Sequence, residues 1–252
     1  MAHCSLPTKQ KKFNHDPEIL YYLFLPLTIW GLVGARLWHI LTPPLSSVQL
    51  GLTTQHYLSH PLDALALWIG GFGLPGAILF GAITLYFFSR NNQLPFLQIA
   101  DILAPGLALA QAIGRLGNYF NQELYGLPTS LTWKIFIDSA HRLRGYENIE
   151  FYHPLFAYEM ILNIVNLILL LWFSHKLLSR NYGVRELAPV LKQGDVFLIY
   201  LTFYSLTRFL LEFLRLDVAL INGVNINQIF FAIFFVAAGG FLLWRHRLAQ
   251  NL

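Results

Sequence analysis

The chain has 252 residues, of which 56% are hydrophobic and 12% charged, and its mean hydropathy is +0.50. A soluble domain carries roughly 25% charged residues, so this balance argues against a water-soluble globule and for a polytopic membrane protein, whose lipid-facing surface is apolar as well as its core. The net charge of +4 does not call for nucleic acid, because the cations sit at segment ends, where positive-inside topology accounts for them.

A single cysteine, Cys4, leaves no internal disulfide. Residues 1–19 hold a basic stretch but no apolar core, so no secretory signal peptide is expected and the segment reads as cytoplasmic. Six spans are predicted, at Leu20–Thr42, Leu65–Phe88, Leu97–Ile113, Leu155–Leu178, Val196–Leu214 and Ile226–Trp244. The expected fold class is therefore all-α: one integral membrane domain over 1–252, a bundle of about six transmembrane helices, with a long outer-face segment at 114–154. The third span is marginal, since it carries Asp101, Pro105 and Gln111 and needs neighbouring helices around it. With both termini placed inside, ten Lys and Arg fall on the inner side and five on the outer side, the bias that positive-inside topology predicts.

In the first span, Arg36 follows Gly31 and Gly34, whose spacing admits a close helix neighbour. Arg36 either snorkels to the interface or faces the bundle interior. The run IGGFGLPGAILFG, Ile69–Gly81, holds five glycines and Pro75, which fits either a broken element lining a cavity or a tight helix crossing.

The stretch GRLGNYFNQELYG, Gly114–Gly126, places Arg115, Asn118, Asn121, Gln122 and Glu123 between apolar segments. If 114–123 is helical, Arg115, Asn118 and Gln122 share a face, flanked by Asn121 and Glu123. Such groups need partners at membrane depth. They form either a structural polar knot or an anion site, for which the arginine fork is suited. LTWKIFI, Leu131–Ile137, reads as a reentrant or interfacial helix with no chemical role.

FYHPLFAYEM opens the fourth span with Pro154 in its first turn and Tyr158 and Glu159 about one turn inside. Glu159 must be paired or protonated there, whereas His153 alone reads more simply as a helix cap or a solvated residue. In TRFLLEFLRLD, Arg208, Glu212 and Arg215 are spaced by four and three and lie on one helical face. One Arg–Glu pair is a structural bridge; the second arginine leaves net positive charge, as a phosphate site requires.

These residues together resemble the prolipoprotein diacylglyceryl transferases of bacterial inner membranes. Gly114, Arg115, Gly117, Asn118, Tyr119, Asn121 and Glu123 match that family's signature. His153, Pro154, Tyr158 and Glu159 look like its HP…YE motif, and Arg208, Glu212 and Arg215 like its RxxxExxR helix. GARL at 34–37 and the glycine run at 70–81 fall in the family's order, so the likeness covers roughly residues 15 to 245. Two departures stand out. The family usually begins with a further spanning helix; this chain starts in what resembles the loop after it, which implies six spans and a cytoplasmic N-terminus. Many members also carry a histidine where this chain has Pro75, and proline cannot exchange a proton.

The resemblance implies transfer of the diacylglyceryl group of phosphatidylglycerol to the lipobox cysteine thiol in a prolipoprotein signal peptide, with release of glycerol phosphate, at the bacterial cytoplasmic membrane. It assigns the departing phosphate to Arg115 and Arg208 and lipid binding to Arg36, Asn118, Asn121, Tyr158, Glu159, Glu212 and Arg215. His153 and Glu123 are the candidate bases, His153 slightly ahead because imidazole as a type titrates nearest neutrality. No cofactor or metal is expected beyond the lipid substrate. Two other readings stay open: a catalytically impaired, phospholipid-binding paralogue, favoured by Pro75, and an anion or lipid transporter, against which stands the lack of a visible repeat.

Overall fold

A computed structural model describes residues 18–181 and 191–248. Its helices, in chain order, are α1 (Glu18–Leu41), the short α2 (Leu45–Gln49), α3 (Thr54–Ser59) and α4 (Pro61–Leu65), then α5 (Leu74–Asn91), α6 (Phe96–Phe120), α7 (Leu155–Asn181), α8 (Asp195–Leu211) and α9 (Ile226–Leu248). Two small antiparallel ladders complete the described structure: β1 (Ile135–Phe136) with β2 (Phe151–Tyr152), and β3 (Leu220–Ile221) with β4 (Val224–Asn225). The protein is a mostly helical, multi-pass membrane protein. Within the described residues, five helical segments are long and apolar enough to cross a bilayer: Tyr21–Leu41, Phe96–Phe120, Leu155–His175, Asp195–Leu214 and Ile226–Arg247.

The expected second span, Leu65–Phe88, is thus not one helix. Leu67–Ile69 forms a 3-10 turn, Gly70 and Gly71 take left-handed φ of 82° and 80°, and regular helix begins only at Leu74. The 18-residue α5 that follows is not among the five. Conversely, the marginal third span is the longer helix: α6 runs to Phe120, so the polar stretch begins inside a helix and the outer-face segment starts at Asn121 rather than at 114. The stretch 1–17, to which the cytoplasmic N-terminal expectation refers, lies outside the described residues.

The chain divides into two compact units. The first comprises the residues up to Pro43 together with Thr53–Ala100, and the second Pro44–Leu52 together with Asp101 onward. In the first unit α1 and α5 cross backbone to backbone. A Cβ on Gly34 would strike the Gly76 carbonyl oxygen and Phe80, and one on Gly76 would strike the Gly34 carbonyl oxygen and Trp38. The Gly73 N–H donates to the Ala35 carbonyl at 2.8 Å. Pro75 is buried in the first turn of α5, where a missing N–H costs nothing. The glycine run is broken at 70–71 and makes the expected tight helix crossing at 76.

That break feeds Arg36, which is only 4% exposed and so does not snorkel. Its Nε donates to the Ala64 carbonyl at 2.9 Å and its second terminal nitrogen to the Asp63 carbonyl at 2.6 Å. The other terminal nitrogen donates to the carbonyls of Gly70 and Gly71, and the guanidinium lies 5.2 Å from the Tyr57 ring centroid. Asp63 in turn accepts from His56 Nε2 at 2.9 Å. Arg36 is the hub that folds residues 57–71 around the end of α1.

In the second unit, α8 packs against both α7 and α9. Asp101, which made α6 look marginal, caps a neighbour: its carboxylate accepts the N–H groups of Gly194 at 2.6 Å and Phe197 at 2.9 Å, satisfying donors at the start of α8. Buried Asp195 accepts from the Lys192 N–H at 2.6 Å and pairs with His246 at 2.8 Å and Arg245 at 3.3 Å, which ties α9 to the same end.

The connection between α6 and α7 has its own small core of Tyr125, Ile137, Tyr152 and Leu216. Here the expected interfacial helix at Leu131–Ile137 is corrected. Ile135 and Phe136 form β1, paired with Tyr152 and Phe151, and Tyr152 bridges on its other side to Pro128. Strand pairing, with Ile137 buried and Phe136 exposed, accounts for the apolar pattern that resembled a helix face. The buried Tyr125 hydroxyl donates to the His141 carbonyl and accepts the Leu143 N–H, and burial pushes its pKa up to about 12.

Two predictions follow from this packing. Gly34→Leu forces a side chain into the backbone contact between α1 and α5. It is expected to destabilise the protein by at least about 1–3 kcal/mol, the usual cost of overpacking, read as a lower midpoint in detergent thermal unfolding. For Tyr125, the folded pKa lies above the unfolded value near 10. Its contribution is therefore complete below about pH 10 and lost as pH rises toward 12. Wild-type stability should fall more steeply than that of Tyr125→Phe across this window.

Candidate functional site

The polar residues of α6, α7 and α8 meet in the second unit around one carboxylate. Glu159, 0% exposed, stands in the second turn of α7. Its Oε1 accepts from Arg115 of α6 at 2.6 Å, and its Oε2 from Arg208 of α8 at 2.7 Å. Each oxygen takes a different guanidinium, so one carboxylate holds two arginines that are 93 positions apart in the chain. Ionised donors on an ionised acceptor make these the strong class of hydrogen bond.

The cluster extends in two directions. On the α6 side, Arg115 donates to Asn118 Oδ1 at 3.0 Å, and Asn118 and Asn121 both donate to Glu123 Oε1, at 2.9 and 3.2 Å. This works because the helix stops at Phe120 and Gln122 takes a φ of 51°, turning Glu123 back toward Asn118. Gln122 does not join the Arg115 face; it bonds Asp138. On the α8 side, Glu212 lies 3.4 Å from Arg208 and 3.7 Å from Arg215, and accepts from Asn225 at 3.3 Å. Arg215 also donates to the Asp217 carbonyl, and the Asp217 carboxylate caps the start of α2 through Ser46.

Glu159 and Glu212 are fully buried between Arg115, Arg208 and Arg215, and Glu123 is exposed. The buried part of the cluster therefore holds two carboxylates and three guanidiniums, a surplus of one positive charge. An anion would complete it.

His153 and Tyr158 form an adjoining group. His153 Nδ1 is 3.1 Å from the Tyr158 hydroxyl, which also accepts from Trp133 Nε1 at 2.7 Å. The His153 main chain, just after β2, is fixed by hydrogen bonds to Leu127 and Gly126. Of the residues singled out from sequence, Arg115, Asn118, Asn121, Glu123, Glu159, Arg208, Glu212 and Arg215 form one bonded network. His153 and Tyr158 are joined to each other, and Arg36 belongs to the first unit.

Sequence reasoning missed the layer beneath the arginines. Asn163 and Asn166 follow Glu159 at i+4 and i+7 and are 1% and 0% exposed. Gln111 lies one turn before Arg115, with Tyr204 one turn before Arg208. The spacing Glu–Asn–Asn on an otherwise apolar helix is the signal that points to them. Asn163 Nδ2, both amide atoms of Asn166 and Gln111 Oε1 are buried without a hydrogen-bond partner, as are Nε of Arg115 and of Arg208. Each such group costs about 1–3 kcal/mol, so a concentration of them in one place marks a site whose partners come from outside the chain.

Fold and site together define a multi-pass membrane protein with an electropositive arginine cluster clamped by a buried carboxylate. The sequence model of the prolipoprotein diacylglyceryl transferase family matches residues 2–245, and the chain belongs to this family. It is similar to the phosphatidylglycerol–prolipoprotein diacylglyceryl transferase of Synechococcus elongatus, 38% identical over 239 residues, covering 94% of this chain and 76% of the relative. The enzyme of the same name from Parasynechococcus marenigrum is 38% identical over 234 residues, 90% of this chain and 78% of that one. That of Trichormus variabilis is 34% identical over 219 residues, 87% and 72% respectively.

Glu159→Ala leaves Arg115 without its carboxylate partner and Arg208 with only its longer contact to Glu212. Breaking a buried pair in this way costs about 3–5 kcal/mol. The expected outcome is a large drop in the detergent unfolding midpoint, with Glu159→Asp intermediate because its shorter side chain reaches only one of the two arginines well.

Proposed function

We propose that this chain transfers the diacylglyceryl group of phosphatidylglycerol to the lipobox cysteine thiol of a prolipoprotein, the first step of lipoprotein maturation. The thiolate sulfur attacks the glyceryl carbon that bears the phosphate ester. A C–S bond forms, the C–O bond breaks, and its electron pair leaves on glycerol phosphate. The thiol proton passes to a base and then to the phosphate or solvent. No oxidation state changes, so the step needs no cofactor.

The observation that carries this reading is the pair of hydrogen bonds that Glu159 accepts from Arg115 and Arg208. The carboxylate pre-orients both guanidiniums, so that charge developing on the departing phosphate meets fixed donors and no reorganisation is needed. Arg215 and Glu212 complete the positive surplus, while Asn118, Asn121 and Glu123 hold Arg115 in line. His153 is the favoured base. Tyr158 occupies its Nδ1, which orients the ring and leaves Nε2 for the thiol, whereas two amides already donate to one oxygen of Glu123. Arg36, whose donors go to four main-chain carbonyls, acts by shaping its loop rather than by gripping phosphate. The bias of cations to one side supports a location in the bacterial cytoplasmic membrane with both termini inside.

Purified protein incubated with phosphatidylglycerol and a lipobox peptide should yield the thioether peptide. Arg115→Ala and Arg208→Ala should each reduce kcat/KM at least about a hundredfold, comparable to loss of one preorganised donor. Arg115→Lys should recover only part of that activity, because an ammonium lacks the planar fork. His153→Ala should lower kcat by about 10²–10⁴-fold and leave lipid binding intact. Lipid binding that Arg115→Ala weakens, with no thioether from the wild type, would instead identify an impaired, lipid-binding paralogue, to which Pro75 points.

A further inference from the structure

Beneath the arginine clamp, three helices of the second unit carry polar groups one or two turns closer to the middle of the membrane. They are Asn163 and Asn166 on α7, Gln111 on α6 and Tyr204 on α8. With a rise of 1.5 Å per residue, Asn163 and Asn166 lie about 6 and 10 Å along α7 from Glu159. Below them the facing positions turn apolar and tightly packed, with Ala104, Ala108 and Leu170 all 0% exposed. The polar column thus ends blind inside the bundle. This shaft is a column of packed polar side chains beside the anion site.

The unpartnered atoms have a sign. In the clamp and the shaft the donors without an acceptor are Asn163 Nδ2, Asn166 Nδ2 and Nε of both Arg115 and Arg208. The acceptors without a donor are Gln111 Oε1 and Asn166 Oδ1. Donors are in excess. A ligand that supplies acceptors and no donors suits this better than water, which supplies both. The ester carbonyls of a diacylglycerophospholipid are such acceptors. They lie a few bonds below the phosphate on the side of the acyl chains, which is the direction and the depth of the shaft.

We infer that Asn163 and Asn166 bind the ester carbonyls of the lipid while the arginines bind its phosphate, so that the site reads the diacyl linkage as well as the headgroup. This rests on the transferase reading for the identity of the lipid, but not on turnover. The glyceryl carbon would then be held from both sides, by the phosphate above and the carbonyls below, which fixes its orientation toward an incoming sulfur.

The test compares diester phosphatidylglycerol with its diether analogue, matched in headgroup and chain length, as competitors of a fluorescent phosphatidylglycerol in mixed micelles. Wild-type protein should bind the diester about five- to tenfold more tightly, the worth of roughly one net hydrogen bond. Asn163→Leu should bind the diester as weakly as the diether and leave diether affinity unchanged. Asn163→Ala serves the same comparison should the leucine variant unfold. Equal wild-type affinity for the two lipids overturns the inference. Equal losses on both lipids in the variant do so as well, since they mark a purely structural seam. Thioether formation measured in parallel separates the two levels: ester discrimination without product refutes the transferase reading alone.

Discussion

A fully buried glutamate that bonds two arginines from two other helices sets the terms for the second unit. Taking a carboxylate out of water is costly, and only good geometry to both guanidiniums offsets it. Glu159 meets that condition with one oxygen for Arg115 and the other for Arg208. Side chains from α6, α7 and α8 therefore meet at this level. The same constraint makes the site. Three guanidiniums around two buried carboxylates leave a positive surplus that the protein does not neutralise from its own residues there.

Around this centre the polar groups sort by depth. At the outer edge Asn118, Asn121 and Glu123 are bonded to one another and reach solvent. In the middle the charged pairs are sealed and nearly saturated. Further in, Nδ2 of Asn163 and both amide atoms of Asn166 have no partner. That gradient, from satisfied to unsatisfied, is opposite to what a structural polar seam needs, since burial raises the cost of each missing bond. It is what a binding site for a headgroup and its linkage needs, because the ligand then supplies the missing partners where water cannot.

The first unit uses an arginine differently. Arg36 is as buried as Arg208, yet it pairs with carbonyls instead of carboxylates, and the loop it gathers exists because Gly70 and Gly71 take a left-handed backbone. Two buried arginines of equal hydropathy thus have different work, one organising backbone and one organising charge. Only their partners distinguish them. At the other end of the second unit, Asp101 shows a third solution, in which a buried carboxylate is satisfied by N–H groups at the start of a helix.

The membrane residence, the helical class and the boundaries of α1, α7, α8 and α9 were legible in the residues, because apolar runs of bilayer length and their flanking charges are local properties. So was the membership of Arg115, Glu159 and Arg208 in some polar cluster, since such groups cannot face lipid. Tertiary structure alone decided that Glu159 bridges those two arginines, that Arg36 turns to carbonyls, that Leu65–Phe88 breaks at its glycines, and that Ile135–Phe136 is a strand. Each of these depends on a partner many residues away: Tyr152 for the strand, Gly70 for Arg36, Arg208 for Glu159. Sequence periodicity states which face of a segment is polar, whereas the choice among distant partners is made by packing.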